Sequence, residues 1–345
     1  MQNNPLLCGG ARELYFTSLM TRSPSYTFLS EADWDDRIRL ADSLASSCTL
    51  CPRACGVNRL NGEIGFCKAP GNLVISSIFP HHGEEPPISG SRGSGTVFFT
   101  YCTLQCVFCQ NFQLSHQAEG RAYSPRELAE AMMDLQRRGC HNINLVTPTH
   151  FLPWVLRALK EALGLGLSIP IVHNNGGYET VESLTLLKDI VDVYLPDMKY
   201  GRAEEAKRYS HAADYVEVNQ KAVRTMLRQV GPLRLDKNNI AYRGLCIRHL
   251  VLPSGGAGSE HVVDFLMKAF DPLDLTVGLM AQYRPLFHAA QFPEISRTIE
   301  AREYDGARSL FEHADIAGFY QELPRLDERF CIDFKKRKSQ PLTGD

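Results

Sequence analysis

The sequence lacks the long apolar runs and the one-sided charge that would point to a membrane or to nucleic acid. No segment of the 345 residues approaches the roughly 20 consecutive apolar residues that a membrane helix needs. Lys and Arg total 37 against 39 Asp and Glu, so no overall field attracts nucleic acid or an anionic membrane. The opening MQNNPLLCGGARELYF lacks the basic start and apolar run of a secretory signal. We therefore expect a cytoplasmic chain with no nucleic-acid partner and no membrane association.

Cysteine, in contrast, is plentiful and unevenly placed. Seven of the 11 cysteines fall between positions 48 and 109. The cytoplasm keeps thiols reduced, so a disulfide framework is not expected there, and cysteines clustered in such a chain indicate metal binding or catalysis. The other four, Cys8, Cys140, Cys246 and Cys331, are isolated and are predicted to be ordinary thiols.

The order of the sequence patterns predicts an α/β fold. From residue 96, short apolar segments alternate with helical patterns, which indicates parallel strands with helices outside. About six or seven such units are fewer than the eight of a full barrel, so we predict a partial (β/α)6-type TIM barrel with a Cys-rich N-terminal extension. The first strand is predicted at 96–101, the fifth at 215–218 with Asn219 at its end, and the last at 276–280.

Four regions are predicted along the chain. Residues 1–47 are a peripheral N-terminal segment with a helix capped by Ser30. Residues 48–94 are a Cys-rich, metal-binding-like segment, residues 95–285 the partial barrel and residues 286–345 a C-terminal extension. The phrase His81-His82-Gly83-Glu84-Glu85 precedes the barrel. We interpret it as a turn that caps the barrel, with metal binding as the alternative.

Three cysteines directly follow the first predicted strand. Cys102, Cys106 and Cys109 have a C-x3-C-x2-C spacing, which allows three thiolates to surround one cubane cluster. An electron-transfer ferredoxin normally supplies four cysteines to a cluster. Three leave one iron without a protein ligand, as an open catalytic zinc site leaves a position for water or substrate. The alternatives are a zinc site with a remote fourth ligand and three incidental buried thiols.

This spacing at the end of a first barrel strand resembles the radical S-adenosylmethionine enzymes. Phe108, just before the third cysteine, matches the aromatic residue that is usual there. Phrases at 51–59, 101–111, 146–150, 194–200 and 247–253 further resemble the branch related to pyruvate formate-lyase activating enzyme. The resemblance implies a [4Fe-4S] cluster whose vacant iron binds S-adenosylmethionine. An external electron donor such as flavodoxin or ferredoxin would reduce the cluster, and a 5′-deoxyadenosyl radical would then abstract hydrogen from the substrate.

The same resemblance assigns cofactor contacts to residues at the ends of the second and third predicted strands. Thr147, Thr149 and His150 stand where the superfamily usually has Gly-Gly-Glu, a motif that holds the amino group of S-adenosylmethionine. No carboxylate is present there, so these residues are expected to replace that contact. Asn175, at the end of the third strand, is a further candidate for cofactor binding.

Four residues on later strands are candidates for cofactor binding or catalysis. Asp197 and Lys199 match an Asp-x-Lys phrase that lies near the cofactor carboxylate and the substrate in the activating enzymes, so both roles are assigned to them. Arg248 is a candidate cofactor contact and His249 a candidate catalytic residue. Neighbouring residues of a strand face opposite sides, so only one of these two can point inward.

A second cysteine group lies upstream, where Cys48, Cys51, Cys55 and Cys67 supply four thiolates in loop-like sequence. Four soft ligands suit a tetrahedral zinc ion or a second iron–sulfur cluster, and a short loop segment would gain folding energy from the metal. The alternative is a set of reduced, metal-free thiols that simply pack together.

Three functions are consistent with these patterns. In the first, the radical removes hydrogen from a glycine of a partner glycyl-radical enzyme, which follows from the family resemblance alone. In the second, a radical enzyme acts on a small molecule or modifies another protein, which the missing Gly-Gly-Glu favours. In the third, the chain is a non-catalytic, metal-stabilised binding or redox protein, against which the vacant iron argues.

Overall fold

The architecture is described from a computed structural model that covers residues 23–323 and 332–337. Cys8 and Cys331, predicted to be ordinary thiols, lie outside the described residues. The strands are β1 Leu73–His81, β2 Ser94–Phe99, β3 Arg121–Tyr123, β4 Ile143–Val146, β5 Ile171–Asn175, β6 Val193–Pro196, β7 Arg234–Leu235, β8 Ala241–Leu245, β9 Ile247–Leu250, β10 Thr276–Met280 and β11 Ala317–Tyr320. The helices are α1 Glu31–Ser46, α2 Pro86–Ser89, α3 Phe112–Ser115, α4 Pro125–Arg137, α5 Leu152–Gly164, α6 Val181–Leu187, α7 Ala203–Ser210, α8 Tyr215–Val230, α9 Ser259–Ala269, α10 Ala301–His313 and α11 Phe334–Arg337.

The first helix begins where its capping signal predicts. The Ser30 hydroxyl accepts a hydrogen bond from the Asp33 amide while the Asp33 carboxylate accepts one from the Ser30 amide, a capping box that satisfies amides left free at the helix start. Trp34 anchors the buried face of α1. The helix is tied to α5 by Arg157, whose guanidinium donates to both carboxylate oxygens of Asp42 at 2.6 and 3.0 Å.

Parallel strands form the centre of the fold, which confirms the α/β class. In the part of the chain that the structure describes, one sheet has the order β3-β1-β2-β4-β5-β6-β8-β7 and the other β11-β10-β9. The strands from β2 to β8 in that order are parallel, as are β9, β10 and β11. The chain passes from β8 to β9 through Cys246, and an isolated bridge between Asp197 and Arg248 also joins the sheets. Closure of these strands into a partial barrel remains a prediction.

The strand residues are buried on both faces, as parallel sheets require. Every residue of β2, β5, β6 and β10 is buried. Near-continuous burial follows when helices cover one face and side chains of the interior cover the other. The strand predicted at 276–280 has the observed bounds of β10, and the parallel strands continue past residue 285 because β11 pairs with β10.

One predicted strand is wrong. Residues 215–218 are the first turn of α8 and not a strand. The short run with Val216 and Val218 has β-branched residues, but the buried residues continue at Asn219, Ala222, Val223 and Met226 with helical spacing. The longer period therefore prevails over the local preference, and Asn219 lies on a helix rather than at a strand end.

The segment between α1 and β1 has little regular structure. A single 3-10 turn, Arg59–Asn61, lies between the cysteines of this segment. β1 then runs antiparallel to β2, with His81 opposite Ser94, and leads into the Glu84–Glu85 turn. Among residues 23–323 and 332–337, every helix is too short or too polar to span a bilayer.

Candidate functional site

The loop after β2 brings Cys102, Cys106 and Cys109 to the carboxyl end of the parallel strands. Tyr101 and Gln105 have positive φ values of 71° and 52°, conformations that let the chain turn sharply between the thiols. Burial, with the neighbouring thiols, raises the pKa of Cys102 to about 11 and that of Cys109 to about 12. A metal would have to displace these protons, because only the thiolate is a ligand.

Each of the three sulfurs accepts a hydrogen bond. The Leu104 amide donates to Cys102 at 3.4 Å, the Ser210 hydroxyl to Cys106 at 3.0 Å, and the Ser115 hydroxyl to Cys109 at 3.2 Å. Donors of this kind stabilise thiolate charge and tune metal centres. Across residues 23–323 and 332–337, no three Cys, His, Asp or Glu side chains already stand together as a metal-ligand group. Three thiols are soft ligands, so the donor set suits an iron–sulfur cluster. Because the three do not yet stand together, they would have to move closer to bind it.

A cavity of about 380 Å³ opens beside this loop. Its walls combine the cysteine loop with residues of β5, β9 and β10, with the segment after β6 and with the turn before β2. The volume is typical of small-molecule sites. The wall residues include Cys106, Phe108, Cys109, Asn174, Asp197, Lys199, Arg248, Glu84, Glu85 and Gly278.

Asp197, Lys199 and Arg248, all predicted from the sequence, meet in this cavity. Lys199 Nζ donates to Oδ2 of Asp197, and Arg248 Nε donates to Oδ1 at 2.9 Å. Burial alone would raise the pKa of Asp197, but Arg248 and Lys199 lower it overall. Burial would lower the pKa of Lys199, yet the Asp197 charge raises it. Both partners are therefore held in their charged forms.

Glu84 and Glu85 also belong to this cavity, a place that their sequence context did not predict. Glu84 accepts hydrogen bonds from Asn144 at 3.0 Å, from Asn174 at 3.2 Å and from Arg248 at 3.2 Å. Metal binding and a capping turn were the interpretations of this phrase. Its charged side chains instead reach between the strands, and the only sequence signal was a pair of acidic residues next to prolines.

Phe108 lies where the resemblance expects an aromatic residue. Its buried ring packs edge-to-face against Tyr200, Tyr209 and Tyr283, with centroids 5.7 to 6.3 Å apart. Edge-to-face aromatic pairs are favourable beyond their area burial. The ring therefore fixes the cysteine loop against α7 and the segment after β10.

The predicted replacements for Gly-Gly-Glu do not line the cavity. Thr149 donates its hydroxyl to the carboxylate of Glu179 at 2.7 Å. His150 Nε2 lies 2.8 Å from the Thr100 carbonyl, and burial lowers its pKa to about 3. Thr147 has a positive φ of 58° and donates its amide to Asn174. These residues shape the turn after β4, and their proposed cofactor contacts gain no support from this arrangement.

Strand alternation separates the remaining candidates. Arg248 faces the cavity, while His249 is buried behind it with Nδ1 2.6 Å from the Met198 carbonyl and Nε2 2.8 Å from the Ser259 hydroxyl. Asn174 rather than Asn175 faces the cavity. Asn175 accepts a hydrogen bond from the Gly177 amide and so supports the turn after β5.

The four upstream cysteines lie in a loop that packs against the cysteine loop of β2. Cys48, Cys51 and Cys67 are buried and Cys55 is half-buried. Burial raises the pKa of Cys48, and the neighbouring Cys55 thiol adds to this effect. Arg53 donates to the Thr103 carbonyl at 3.0 Å and connects the two loops.

Comparison with known proteins gives one family relationship. The chain is 32% identical over 298 residues to the uncharacterized protein MJ0674 of Methanocaldococcus jannaschii, which covers 83% of this chain and 80% of that protein. The chain therefore belongs to the family of that protein. No family model matches the sequence. Among solved structures, methylornithine synthase aligns over 88% of this chain and 82% of its own, with 17% identity and a TM-score of 0.39.

Proposed function

We propose that this chain is an iron–sulfur enzyme of the radical S-adenosylmethionine kind. The observation that carries the proposal is the cysteine loop itself: three hydrogen-bonded thiols at the end of the first parallel strand, beside a charged cavity. Three ligands would leave a fourth metal position for a cofactor. A bound [4Fe-4S] cluster would supply one electron to S-adenosylmethionine, giving methionine and a 5′-deoxyadenosyl radical.

The chain's own residues have distinct roles in this proposal. Cys102, Cys106 and Cys109 would hold the cluster. The hydroxyls of Ser210 and Ser115, which donate to Cys106 and Cys109, would adjust its potential. Lys199 would attract the cofactor carboxylate, while Asp197 holds that lysine charged and in place. Since the cavity has no carboxylate from the turn after β4, the amino group would be held by another group near the cluster.

A small molecule is the substrate class that the cavity favours. Its volume of about 380 Å³ suits a compact ligand, and the Glu84–Glu85 turn occupies the interior from the side opposite the cysteines. Activation of a partner glycyl-radical enzyme remains the second candidate, supported by the sequence resemblance alone. Deuterium transfer from a labelled glycine of a partner would favour that candidate.

Anaerobic reconstitution tests the catalytic proposal. With iron and sulfide, the protein should gain about four irons on the central loop, and a C102A/C106A/C109A variant should lose them. Cys140, buried and outside both cysteine groups, offers the matched control C140A. Dithionite-reduced protein should form 5′-deoxyadenosine from S-adenosylmethionine. Failure to form it with a full cluster would refute the proposal.

The upstream quartet is proposed as a second metal site, either zinc or a second cluster. Arg53 and Gln105 join its loop to the central loop, since Gln105 donates to the Phe66 carbonyl at 2.9 Å. A second cluster there would receive electrons from an external donor such as flavodoxin or ferredoxin. Metal analysis of the C102A/C106A/C109A variant should find the remaining metal, and a further C51S/C67S change should remove it. A variant with no metal left before that change would contradict the second site.

A further inference from the structure

The turn between β1 and β2 places an uncompensated carboxyl group in the cavity. Oε2 of Glu85 is buried and lacks a hydrogen-bond partner among the described residues. Its neighbour differs, because Glu84 is bonded to Arg248 and two asparagines. A buried acceptor without a donor is costly unless a ligand supplies one.

The charges around the cavity leave Glu85 without a counter-ion of its own. Arg248 is shared between Asp197 and Glu84, and Lys199 is bound by Asp197. Two cations thus face two carboxylates before Glu85 is counted. Burial and the Glu84 charge raise the pKa of Glu85 to about 7, despite Arg248. A third cation, supplied by a ligand, would balance the charge of Glu85.

The backbone of β10 is shaped to admit this carboxyl group. A Cβ at Gly278 would collide with Oε1 of Glu85. Gly278 lies beside Arg248 in the parallel register. The absence of a side chain at this position therefore permits the carboxyl to rest on the strand and face the cavity.

Glu85 enters the cavity from the end opposite the cysteines. His81 pairs with Ser94 at the start of β2, whereas the cysteine loop follows Phe99 at its end. The two ends of β2 are about 17 Å apart at the usual strand rise. The Glu85 side chain reaches from its end to Gly278, in the middle of β10. Groups of S-adenosylmethionine that bind the vacant iron must stay at the cysteine loop, so we assign a cation at Glu85 to another part of the bound ligands.

The geometry points to Glu85 as the substrate-recognition residue of this site, selecting a substrate with a protonated amine. That the bound amine is a substrate rests on the proposed function. The ammonium site itself is argued from the cavity residues alone. The groups facing Glu85 are Glu84 on the same turn, Arg248 on β9, Asp197 at the end of β6 and the Cys246 thiol between β8 and β9.

Butylammonium is a suitable probe, with butan-1-ol as its uncharged analogue, in ligand-detected NMR titrations of the reconstituted protein. Butylammonium should bind more tightly than butan-1-ol, and E85Q should weaken it at least tenfold. E182Q, at an exposed position on α6, should leave it unchanged. For the wild type, affinity should fall as the pH drops below about 7, because a protonated Glu85 has no charge to offer.

The opposite results are equally definite. Equal butylammonium binding by wild type and E85Q, or no preference over butan-1-ol, would overturn the inference. Should E85Q fold poorly, G278A provides the second variant, because its new Cβ displaces the carboxyl and must weaken the probe. Competition between S-adenosylmethionine and butylammonium would show that Glu85 holds the cofactor amino group instead. No radical chemistry is needed, so loss of 5′-deoxyadenosine formation and loss of probe binding are separate outcomes.

Discussion

Replacing Glu85 with glutamine should stabilise the protein at alkaline pH. The folded chain raises the pKa of Glu85 from 4.5 to about 7, which corresponds to about 3 kcal/mol of unfavourable interaction with the ionised form. Below the unfolded value of 4.5, the carboxyl is protonated in both states and costs nothing. As the pH rises from about 4.5 through 7, the wild type loses up to about 3 kcal/mol of its free energy of unfolding. The glutamine amide has the same shape and no charge, so the E85Q protein does not lose it.

Urea unfolding of wild type and E85Q at about pH 5 and about pH 8.5 measures this effect. The difference in free energy of unfolding should be small at the lower pH and approach about 3 kcal/mol in favour of E85Q at the higher pH. Groups remote from Glu85 titrate alike in both proteins and cancel. E84Q is the matched control with the opposite sign, because Glu84 is bonded to Arg248 and its loss leaves a buried cation less well paired. An E85Q protein less stable than wild type at both pH values would refute the reasoning.

Three further outcomes follow from the same contacts. The imidazole of His249 should titrate near pH 4 in NMR spectra, because burial lowers its pKa to that value. The unfolded histidine binds its proton more readily than the folded one. The free energy of unfolding should therefore fall by about 3 kcal/mol as the pH drops from about 6.5 towards 4. S115A should retain the cluster but lower its reduction potential, since Cys109 loses a hydrogen-bond donor. R248M should reduce the free energy of unfolding by about 3–5 kcal/mol, because it leaves buried Glu84 without its cation and Asp197 with Lys199 alone.

Each of these outcomes has a contrary result. A His249 resonance that titrates near pH 6.5 would show that the ring is hydrated rather than buried. An unchanged potential in S115A, with S46A at the exposed end of α1 as the control, would show that the hydroxyl does not act on the cysteine sulfur. An R248M protein as stable as wild type would mean that its carboxylate partners are protonated or solvated.

The part of the site built on strand ends was predictable from the sequence. A short motif after an apolar strand located Cys102, and strand alternation required that only one of Arg248 and His249 face inward. Both signals lie within a few consecutive residues, so they can be read without knowledge of the rest of the chain. Asp197 and Lys199 were reached through resemblance, and their ion pair gives that resemblance a physical basis.

Other features depended on distant parts of the chain. The run with Val216 and Val218 has the composition of a strand, and only the burial of later residues such as Met226 against the sheet makes it a helix. Asn174, not Asn175, faces the cavity because both residues belong to β5 and neighbouring residues of a strand face opposite sides. The sequence around the strand end does not show which of the two faces is inward.

The Glu84–Glu85 turn shows why the cofactor end of this site was easier to predict than the other. Cluster chemistry fixes ligand type and spacing within one loop, so three cysteines suffice to indicate it. Recognition of a substrate needs only a charge at the right depth, and that charge can come from any segment that reaches the interior. Here it comes from a turn before the first parallel strand, where Gly278, almost two hundred residues later, supplies the space. We therefore expect substrate-selecting residues on segments that reach the interior but do not belong to the strand–helix repeats. Removal of the Glu85 carboxylate should change which ligands bind and leave the cysteines in place.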